Sequence, residues 1–401
     1  EMLRGKRVLI GISGGIAAYK IPELVRLFVK NNAEVRCILT PSASAFVTPL
    51  SLATLSNNAV HTELFDPITG RWTNHVDLGL WADLMIIAPL TASSLAKMAC
   101  GHSNNLMLTT YLSARCPVLV APAMDLDMYA HPSTQENIEK LRKHGVQVID
   151  AKSGALASGL SGQGRMPEPQ EIFDAALPLL FRKSTKLLNK KILITAGPTY
   201  EAIDPVRFIG NHSTGKMGIA LAQVCCLYGA EVHLIIGPTQ QNVPNFPNLK
   251  LIRIQSAAEM LQETQKLWHA MEIGIFSAAV ADYRVEEIAT SKIKKSDDSL
   301  VLNLVKNPDI LAWAGANKTS QMLIGFALET DNEITHAQSK LKRKNLDAII
   351  LNSLQNQGAG FGFDTNQISI IAANNKITNF ELLSKTEVAE NIVNYVIENI
   401  N

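Results

Sequence analysis

The chain has 401 residues, 47% of them hydrophobic, which is enough for two or three ordinary domains with apolar cores. Lys and Arg number 37 against 36 Asp and Glu, which excludes the broad basic surface that sequence-independent nucleic-acid binding requires. Five cysteines without CxxC spacing indicate reduced thiols, and no apolar run approaches the roughly 18 residues of a membrane span. We therefore expect a cytoplasmic protein whose partners are small molecules, with neither nucleic acid nor a membrane among them.

Two parts of the chain begin in the same way. Residues 6–15 (KRVLIGISGG) and 191–197 (KILITAG) each lead from an apolar strand into glycine, then a helix, then a second strand introduced by Ala-Glu-Val. This repetition predicts two analogous α/β domains, at 1–183 and 184–401. The second carries a longer polar connection after its first strand, residues 200–218 (YEAIDPVRFIGNHSTGKMG). Open α/β sheets bind their ligands at this position, the carboxyl end of a parallel strand.

The first domain opens with a predicted strand, 8–12, a glycine turn and an amphipathic helix. Such a turn lets backbone N–H groups approach a phosphate at the helix N-terminus. It is not GxGxxG, however, and packing of the helix on the sheet is an alternative. Three later predicted strands, in segments 37–42, 84–93 and 118–125, end alike, at a proline followed by small polar residues. They predict a nucleotide site at the carboxyl edge of a parallel sheet, with ordinary turn chemistry as the alternative.

Two further features of the first domain are candidate site elements. His75 precedes a predicted short helix, although a lone histidine is more often structural than catalytic. Residues 154–169 (GALASGLSGQGRMPEP) are rich in glycine and predict a mobile segment, in which Arg165 could clamp a phosphate or carboxylate as the segment closes. A plain surface loop is the alternative for this segment.

These residues carry a resemblance. GISGGIAAYK, NHVDL, WADLMIIAPLTASSLAK, APAMDLDMYAHPSTQEN and GLSGQGRMPEP together resemble the flavin-dependent phosphopantothenoylcysteine decarboxylases, of the homo-oligomeric FMN-containing cysteine decarboxylase family. The resemblance implies that FMN is bound by Ser13, Gly14, Gly15, Ser42, Thr91 and Ser93, that His75 and Ser158 are catalytic, and that Asp125, Met128, Arg165 and Met166 bind the substrate.

Two positions depart from the family pattern. Asp125 stands where the family has the asparagine that binds the substrate carboxylate, and Ser158 replaces the usual cysteine. A carboxylate facing a carboxylate is repulsive unless one is protonated or a cation intervenes. A serine hydroxyl is also a far weaker acid than a thiol. We expect 4'-phosphopantetheine as the product, and the alternative is an oxidative decarboxylase that stops at the enethiol.

In the second domain, residues 210–217 (GNHSTGKM) nearly match a P-loop, but Met217 occupies the hydroxyl position. The segment is still predicted to cradle phosphate at the N-terminus of a helix over 215–229, the alternative being a loop that only caps that helix. A strand at 273–284 ends near Asp282, and the lysines of SKIKKSDD could neutralise a polyphosphate or lie on the solvated surface. The terminal segment KTEVAENIVNYVIENI is predicted to be an amphipathic core helix.

ITAGPTYEAIDPVRFIGNHSTGKMG, AAVADYR, KIKK, NPDILA and GFALET resemble the phosphopantothenate-cysteine ligases, so the whole chain resembles the bifunctional bacterial enzymes of coenzyme A biosynthesis. The resemblance implies ligation of 4'-phosphopantothenate with L-cysteine through an acyl-cytidylate, with CTP and Mg²⁺, before decarboxylation. It makes Asn211 and Lys292 catalytic, gives Arg207 a role at the substrate intermediate, and assigns CTP binding to Ser213, Gly215, Lys216, Asp282, Lys292, Lys295 and Phe326. The metal ligands stay open.

The expected fold is α/β, with an N-terminal flavodoxin-like FMN domain and a C-terminal nucleotide-binding ligase domain, both Rossmann-like with mostly parallel sheets. The family implies a homo-oligomer in which dimers of the ligase domain join trimers of the flavin domain, as in a dodecamer. Two rival functions are weighed. A nicotinamide-linked dehydrogenase lacks support because no GxGxxG follows either first strand. A non-enzymatic regulator would leave the fused ligase motifs without a purpose.

Overall fold

The structure is a computed structural model that describes residues 2–181, 184–294, 300–329, 333–353 and 364–400. It divides into two compact units, Glu1–Phe181 and Arg182–Asn401. Each unit is built on a mostly parallel sheet connected by helices, which confirms the predicted α/β class.

The sheet of the first unit has five parallel strands in the order β2-β1-β3-β4-β5. Their bounds are β1 (Arg7–Ile12), β2 (Glu34–Leu39), β3 (Leu84–Leu90), β4 (Val118–Pro122) and β5 (Gln147–Val148). This is the flavodoxin-like order, and the direction of strand addition reverses between β1 and β3. The carboxyl ends of β1 and β3 therefore open a crevice in which a ligand can sit.

Helices of the first unit connect these strands. They are α1 (Ile21–Lys30), α2 (Pro49–Ser56), α3 (His75–Trp81), α4 (Ala92–Cys100), α5 (Leu106–Ser113), α6 (Leu126–Ala130), α7 (Pro132–Lys143) and α8 (Pro169–Phe181), with 3-10 turns at Ile16–Lys20 and Pro41–Ala45. The single helix predicted after the glycine turn is divided, because Pro22 lies in the first turn of α1, where a missing N–H is tolerated.

The glycine-rich segment predicted as a mobile loop is a paired hairpin of β6 (Lys152–Ala155) and β7 (Ser161–Arg165). Two of its glycines, Gly162 and Gly164, allow close packing, and the predicted mobility stays a prediction. A Cβ on Gly164 would lie 2.3 Å from the carbonyl oxygen of Met124, and one on Gly162 would lie 2.4 Å from a methyl of Leu126. The hairpin therefore packs against the segment that leads into α6, where Met124 N donates a hydrogen bond to Gly164 O at 3.0 Å.

The second unit contains an eight-stranded sheet in the order β12-β11-β8-β13-β16-β17-β19-β20. The bounds are β8 (Lys191–Ala196), β11 (Glu231–Ile236), β12 (Leu249–Arg253), β13 (Ile273–Phe276), β16 (Met322–Glu329), β17 (Ala348–Ser353), β19 (Ile368–Ala372) and β20 (Ile377–Asn379). The first six are parallel in Rossmann order, and the last two are antiparallel. Short antiparallel pairs flank the sheet: β9 (Glu201–Ala202) with β10 (Phe208–Ile209), β14 (Tyr283–Val285) with β15 (Leu304–Lys306), and β18 (Thr365–Asn366) with β21 (Leu383–Ser384).

Helices of the second unit are α9 (Lys216–Leu227), α10 (Ala257–Leu267), α11 (Ile310–Ala316), α12 (Glu333–Arg343) and α13 (Lys385–Asn399), with a 3-10 turn at Trp268–Ala270. Helix α13 packs against α9 and buries Val388, Ile392 and Val396, as its amphipathic pattern predicts. Across the described ranges, every helix is too short or too polar to cross a bilayer.

Candidate active sites

A cavity of about 520 Å³ lies at the carboxyl edge of the first sheet. Five of the sequence-predicted residues line it: Gly14, Ser42, Thr91, Ser93 and Met128. They come from the segments that follow the carboxyl ends of different strands, because parallel strands bring those ends to one edge. The structure thus brings together most of the predicted cofactor-binding set.

Ser13 does not line this cavity but forms a hydrogen bond with Thr91, which does. Its Oγ donates to Pro89 O at 2.5 Å and accepts from Thr91 N at 3.0 Å, and its side chain is buried. Thr91 in turn caps α4, with Oγ1 accepting from Ser94 N at 3.3 Å. Ser13 therefore positions Thr91 at the start of α4, rather than facing the cavity itself.

Gly14 and Ser42 approach each other so closely that only glycine fits. A Cβ built on Gly14 would lie 2.2 Å from Ser42 Oγ, whereas one on Gly15 would lie 3.3 Å from Thr91 Cγ2. Thr40, which sequence reasoning missed, also lines the cavity, and its buried Oγ1 has no hydrogen-bond partner among the described residues. A buried hydroxyl without a partner indicates that a polar ligand group belongs there.

His75 is the first residue of α3, where the side chain of Asn74 caps the helix. Its ring lies 5.4 Å from that of Trp72 in an edge contact, and its Nδ1 is buried without a partner in the part of the chain that the structure describes. It is not among the residues that line the 520 Å³ cavity. Its catalytic role stays a prediction.

The two departures from the family pattern contact each other. Ser158 Oγ donates to Asp125 Oδ1 at 2.8 Å, and the same oxygen accepts from Leu126 N at 2.9 Å. No described residue donates a hydrogen bond to Asp125 Oδ2. The serine and the aspartate therefore form one unit that leaves a carboxylate oxygen available to a ligand.

Arg165 and Met166 lie outside the lining of this cavity. Arg165 pairs with Glu168 at 2.7 Å, which also accepts from Lys20 at 2.8 Å. The hydrogen bond from Lys20 is the largest cause that lowers the pKa of Glu168; burial opposes it, and the charges of Lys20 and then Arg165 lower the pKa further. Met166 is buried in the fold. Neither residue lines the cavity, so their contact with substrate stays a prediction.

The second unit contains a larger cavity, of about 700 Å³, at the carboxyl ends of β8, β13 and β16. It is lined by six of the sequence-predicted residues: Asn211, Ser213, Gly215, Lys216, Asp282 and Phe326. Asn211 is held rigidly, since its Nδ2 donates to Ala279 O at 2.6 Å and its Oδ1 accepts from Ser213 N at 3.0 Å. Gly215 precedes α9 with φ +79°, a conformation that favours glycine.

Arg207 and Lys292 do not line this cavity. Arg207 donates from Nε to the buried carboxylate of Asp204 at 3.0 Å and from its guanidinium to Ile293 O at 3.1 Å. Asp204 also accepts from Ile293 N at 3.1 Å, so the polar connection and the KIKK segment are joined. The Arg207 hydrogen bond is the main reason that the pKa of Asp204 is strongly depressed. Lys295 lies outside the described residues.

Sequence reasoning missed several cationic and amide side chains of this cavity. They include Lys306, Asn307, Lys340, Lys344, Asn366 and Lys385. Lys344 pairs with Asp309 at 2.8 Å, and Asp309 caps α11 through Ala312 N. The NPDILA motif, which contains Asp309, carries the resemblance to the ligases without a role for Asp309, and the amphipathic pattern of the terminal helix predicts only core packing. The available signal for Lys385 was its position directly after Ser384, the N-cap residue of α13.

The described residues contain no group of three or more His, Cys, Asp or Glu side chains that could hold a metal ion. Asp282 is nevertheless a carboxylate on the lining of the second cavity. A Mg²⁺ ion bound there would take its other ligands from phosphate oxygens and water, as it does in many nucleotide sites.

Comparison with known proteins identifies the family. Residues 1–180 match the family described as Flavoprotein, and residues 187–400 match the DNA/pantothenate metabolism flavoprotein C-terminal domain. A cysteine/cysteine sulfinic acid decarboxylase of an unknown prokaryotic organism is 51% identical, over 88% of this chain and 99% of that protein. The coenzyme A biosynthesis bifunctional proteins CoaBC of Haemophilus influenzae and Bacillus subtilis are 45% and 41% identical, over 99% and 98% of this chain and 98% and 97% of theirs. The chain therefore belongs to the family of bifunctional coenzyme A biosynthesis enzymes, which join a phosphopantothenoylcysteine decarboxylase to a phosphopantothenate-cysteine ligase.

Proposed function

We propose that the second unit uses CTP to join 4'-phosphopantothenate to L-cysteine through an acyl-cytidylate. The first unit then decarboxylates 4'-phosphopantothenoylcysteine to 4'-phosphopantetheine with FMN. The observation that carries this proposal is the pair of cavities at the carboxyl edges of the two parallel sheets, each lined by residues of the matching family motifs. The cytoplasm stays the expected location.

The first cavity fits the phosphate end of FMN. The hydroxyls of Ser42, Thr91 and Ser93 line it, Gly14 leaves room beside Ser42, and Thr40 offers an unpartnered Oγ1. Hydroxyls and a helix N-terminus are usual phosphate ligands. FMN, when bound, supplies the hydride chemistry on the cysteine carbon, which no protein side chain can supply.

The chain's own residues then bind and orient the substrate and move its protons. His75 is the leading proton-transfer candidate, because its Nδ1 has no described partner and so can serve a ligand. Ser158, donating to Asp125, positions a water or holds the hairpin of β6 and β7 in place. A serine is a poor direct proton donor to the enethiolate, so we expect Ser158→Ala to retain substantial turnover. Ser158→Cys should speed the reoxidation of FMN without altering its initial reduction.

In the ligase unit, the chain supplies a rigid amide and positive charge. The fixed orientation of Asn211 suits it to hold the acyl-nucleotide intermediate, and Lys292, with Arg207 nearby on the joined segments, would neutralise charge on the phosphates. Mg²⁺ would add charge stabilisation at the polyphosphate, with Asp282 as the candidate carboxylate ligand.

We also propose the homo-oligomeric state of the family, with trimers of the first unit joined by dimers of the second. Large apolar side chains on the surface of the first unit fit subunit contacts, among them Leu50, Val76, Leu80 and Met128. Light scattering of the full chain at several concentrations would measure the mass, and a monomer throughout would contradict this assembly.

Two measurements test the main proposal. Purified protein should be yellow or take up FMN in a titration, because the first cavity is shaped for it. It should also release pyrophosphate from CTP in the presence of 4'-phosphopantothenate. Colourless protein that fails to bind FMN refutes the first assignment, and absence of pyrophosphate refutes the second and would revive a regulatory role.

A second candidate activity for the first unit is decarboxylation of free cysteine or cysteine sulfinic acid, as the name of the 51% identical relative states for that protein. The observation that favours it is the available carboxylate oxygen of Asp125. An aspartate attracts the ammonium group of a free amino acid, whereas the corresponding nitrogen of 4'-phosphopantothenoylcysteine is an uncharged amide.

Steady-state decarboxylation of the three substrates by wild-type protein and Asp125→Asn separates these candidates. If the free amino acids are substrates, Asp125→Asn should lose them and retain 4'-phosphopantothenoylcysteine. If they are not, the variant should only improve turnover of the larger substrate. Anaerobic product analysis decides the oxidative alternative, because an enethiol product without 4'-phosphopantetheine would establish it.

A further inference from the structure

Lys385 occupies an unusual place for a lysine. It is the first residue of α13, after the capping box formed by Ser384 and Glu387, and it is only 9% exposed. Its backbone N–H donates to Asp364 O at 3.0 Å, which fixes the start of the side chain. The side chain then reaches the lining of the 700 Å³ cavity of the second unit.

The ammonium group of Lys385 has no ion-pair or hydrogen-bond partner among the described residues. Asp364 gives Oδ1 to Lys216 at 2.5 Å, and Glu387 accepts from Ser384 N at 3.0 Å and from Ser384 Oγ at 2.7 Å. Burial, and then the positive charge of Lys216, lower the pKa of Lys385 to about 8, with Asp364 opposing. Holding an unpaired cation in such surroundings costs folding free energy.

Its position on the helix adds to that cost. The N-terminus of a helix carries a partial positive charge, where a cation is unfavourable and an anion is favourable. Lys216 is likewise the first residue of α9, so two neighbouring helices both begin with a lysine at this cavity. No side chain caps the N-terminus of α9, which follows Ser213, Thr214 and Gly215. Asp364 pairs with Lys216, which leaves Lys385 as the one of these two lysines without a described anionic partner.

We propose that Lys385 is a further phosphoryl ligand, which binds a phosphoryl group of a ligase substrate beside Lys216 and the first turn of α9, where the family motifs already predict phosphate. This inference rests on the proposed ligase function of the second unit. A doubly charged phosphate would supply the missing counter-ion for Lys385 and would accept from the uncapped backbone N–H groups of α9. The phosphoryl group belongs either to the polyphosphate of CTP or to the 4'-phosphate of phosphopantothenate.

Calorimetric titrations of the full chain with four ligands separate these sources. The ligands are CTP, cytidine, 4'-phosphopantothenate and pantothenate, each without the co-substrate. Lys385→Gln should weaken one phosphorylated ligand by about tenfold or more, the effect typical of a charge-assisted hydrogen bond, and leave its unphosphorylated counterpart unchanged. Weaker binding of CTP would show that Lys385 contacts the polyphosphate, and weaker binding of 4'-phosphopantothenate would show that it contacts the phosphate monoester. Lys385→Arg should retain most of the affinity.

A pH series gives a readout that a purely structural role would not produce. Anion binding requires the protonated lysine, so wild-type affinity for the phosphorylated ligand should fall as the pH rises above about 8, where the free protein's lysine loses its charge. Lys385→Arg should lack this fall. Lys376→Gln, which removes an exposed lysine in the turn between β19 and β20, is the matched control and should bind as wild type does.

This role of Lys385 is refuted if Lys385→Gln binds both phosphorylated ligands within twofold of wild type. It is also refuted if the unphosphorylated ligands weaken equally, since that indicates general damage or carboxylate recognition. Thermal unfolding checks the fold of the variant, which we expect to be at least as stable as wild type because a buried unpaired charge is removed. Failure of wild-type protein itself to bind CTP and 4'-phosphopantothenate would instead contradict the proposed ligase function.

Discussion

The glycine turn after β1 provides the sharpest test of the proposed FMN site. We expect Gly14→Ala to weaken FMN binding, because the new methyl would lie 2.2 Å from Ser42 Oγ and 2.7 Å from Ser42 Cβ. Rotation of the hydroxyl alone does not relieve this overlap, since the backbone carbon of Ser42 would also be 3.0 Å away. Ser42 must therefore move from the position that it takes on the cavity lining.

The magnitude follows from the cost of overpacking. Inserting a methyl into a filled space costs about 1–3 kcal/mol. The free protein can lower this cost by moving Ser42 aside, but FMN binding then requires Ser42 to return. The dissociation constant should consequently rise by about 5- to 150-fold, at 1.4 kcal/mol for each factor of ten.

Gly15→Ala is the matched control. Its methyl would lie 3.3 Å from Thr91 Cγ2 and 4.0 Å from Pro89 Cγ, and Gly15 has an extended backbone with φ −144° that alanine adopts easily. We expect less than about a fivefold change in affinity, because a few tenths of an ångström of movement suffices.

The assay is titration of apoprotein with FMN, followed by the quenching of flavin fluorescence, with circular dichroism as the check on folding. Adding Ser42→Ala to Gly14→Ala removes the closest overlap but also a phosphate ligand, so only partial recovery is expected. The reasoning is wrong if folded Gly14→Ala binds FMN as tightly as wild type, or if Gly15→Ala is the weaker binder of the two.

Three further predictions concern the second unit. Asn211→Ala should reduce pyrophosphate release at saturating CTP and leave decarboxylation unchanged, because it removes the amide held by Ala279 O; equal loss of both activities would contradict the assignment. Trp268→Phe should lower the free energy of unfolding in urea by about 1–3 kcal/mol. The reason is that Ala314 O, in a buried site, loses its only described side-chain donor, Trp268 Nε1 at 3.1 Å. An unchanged unfolding midpoint would contradict this expectation. The pKa of Asp204 in the folded state is below its unfolded value of about 3.9, so the stability that its carboxylate contributes is complete above that pH and is lost as the pH falls. The difference in free energy of unfolding between wild type and Asp204→Asn, measured in urea, should therefore be smaller at pH 3 than at pH 7. A difference that does not depend on pH would refute this prediction.

Much of the fold could be predicted from the sequence because the signals are local. Runs such as 8–12 and 192–196 are continuously apolar, as strands buried on both faces are, and prolines and glycines mark where they end. Repetition of strand, glycine, helix and strand then predicted two parallel sheets. The motifs also identified most of the polar residues at the carboxyl edges, since that edge is where parallel strands release their side chains.

The sequence was less informative about which remote segments these residues contact. The glycines of residues 154–165 predict a mobile segment, but the sequence did not indicate that Gly164 lies within contact distance of the chain at Met124, in a paired hairpin. Within the polar connection of residues 200–218, Asn211 lines the 700 Å³ cavity, whereas Arg207 pairs with Asp204 and does not line it, so its contact with the intermediate stays a prediction. The remote neighbours, Met124 for the hairpin and Ile293 for Arg207, are identified only by the tertiary structure.

The sequence by itself determined the class of fold, the family and the edges at which ligands bind, because these depend on periodicity and on motifs a few residues long. Only the tertiary structure decided which side chains serve the cavities. Ser13 accepts a hydrogen bond from Thr91, Ser158 donates one to Asp125, and Lys385 lies close enough to Lys216 to be affected by its charge, although these residues are separated by 33 residues or more in the chain. Such pairings depend on how the strands and helices are stacked and on distances of a few ångströms, and neither quantity is encoded in the spacing of residues along the sequence.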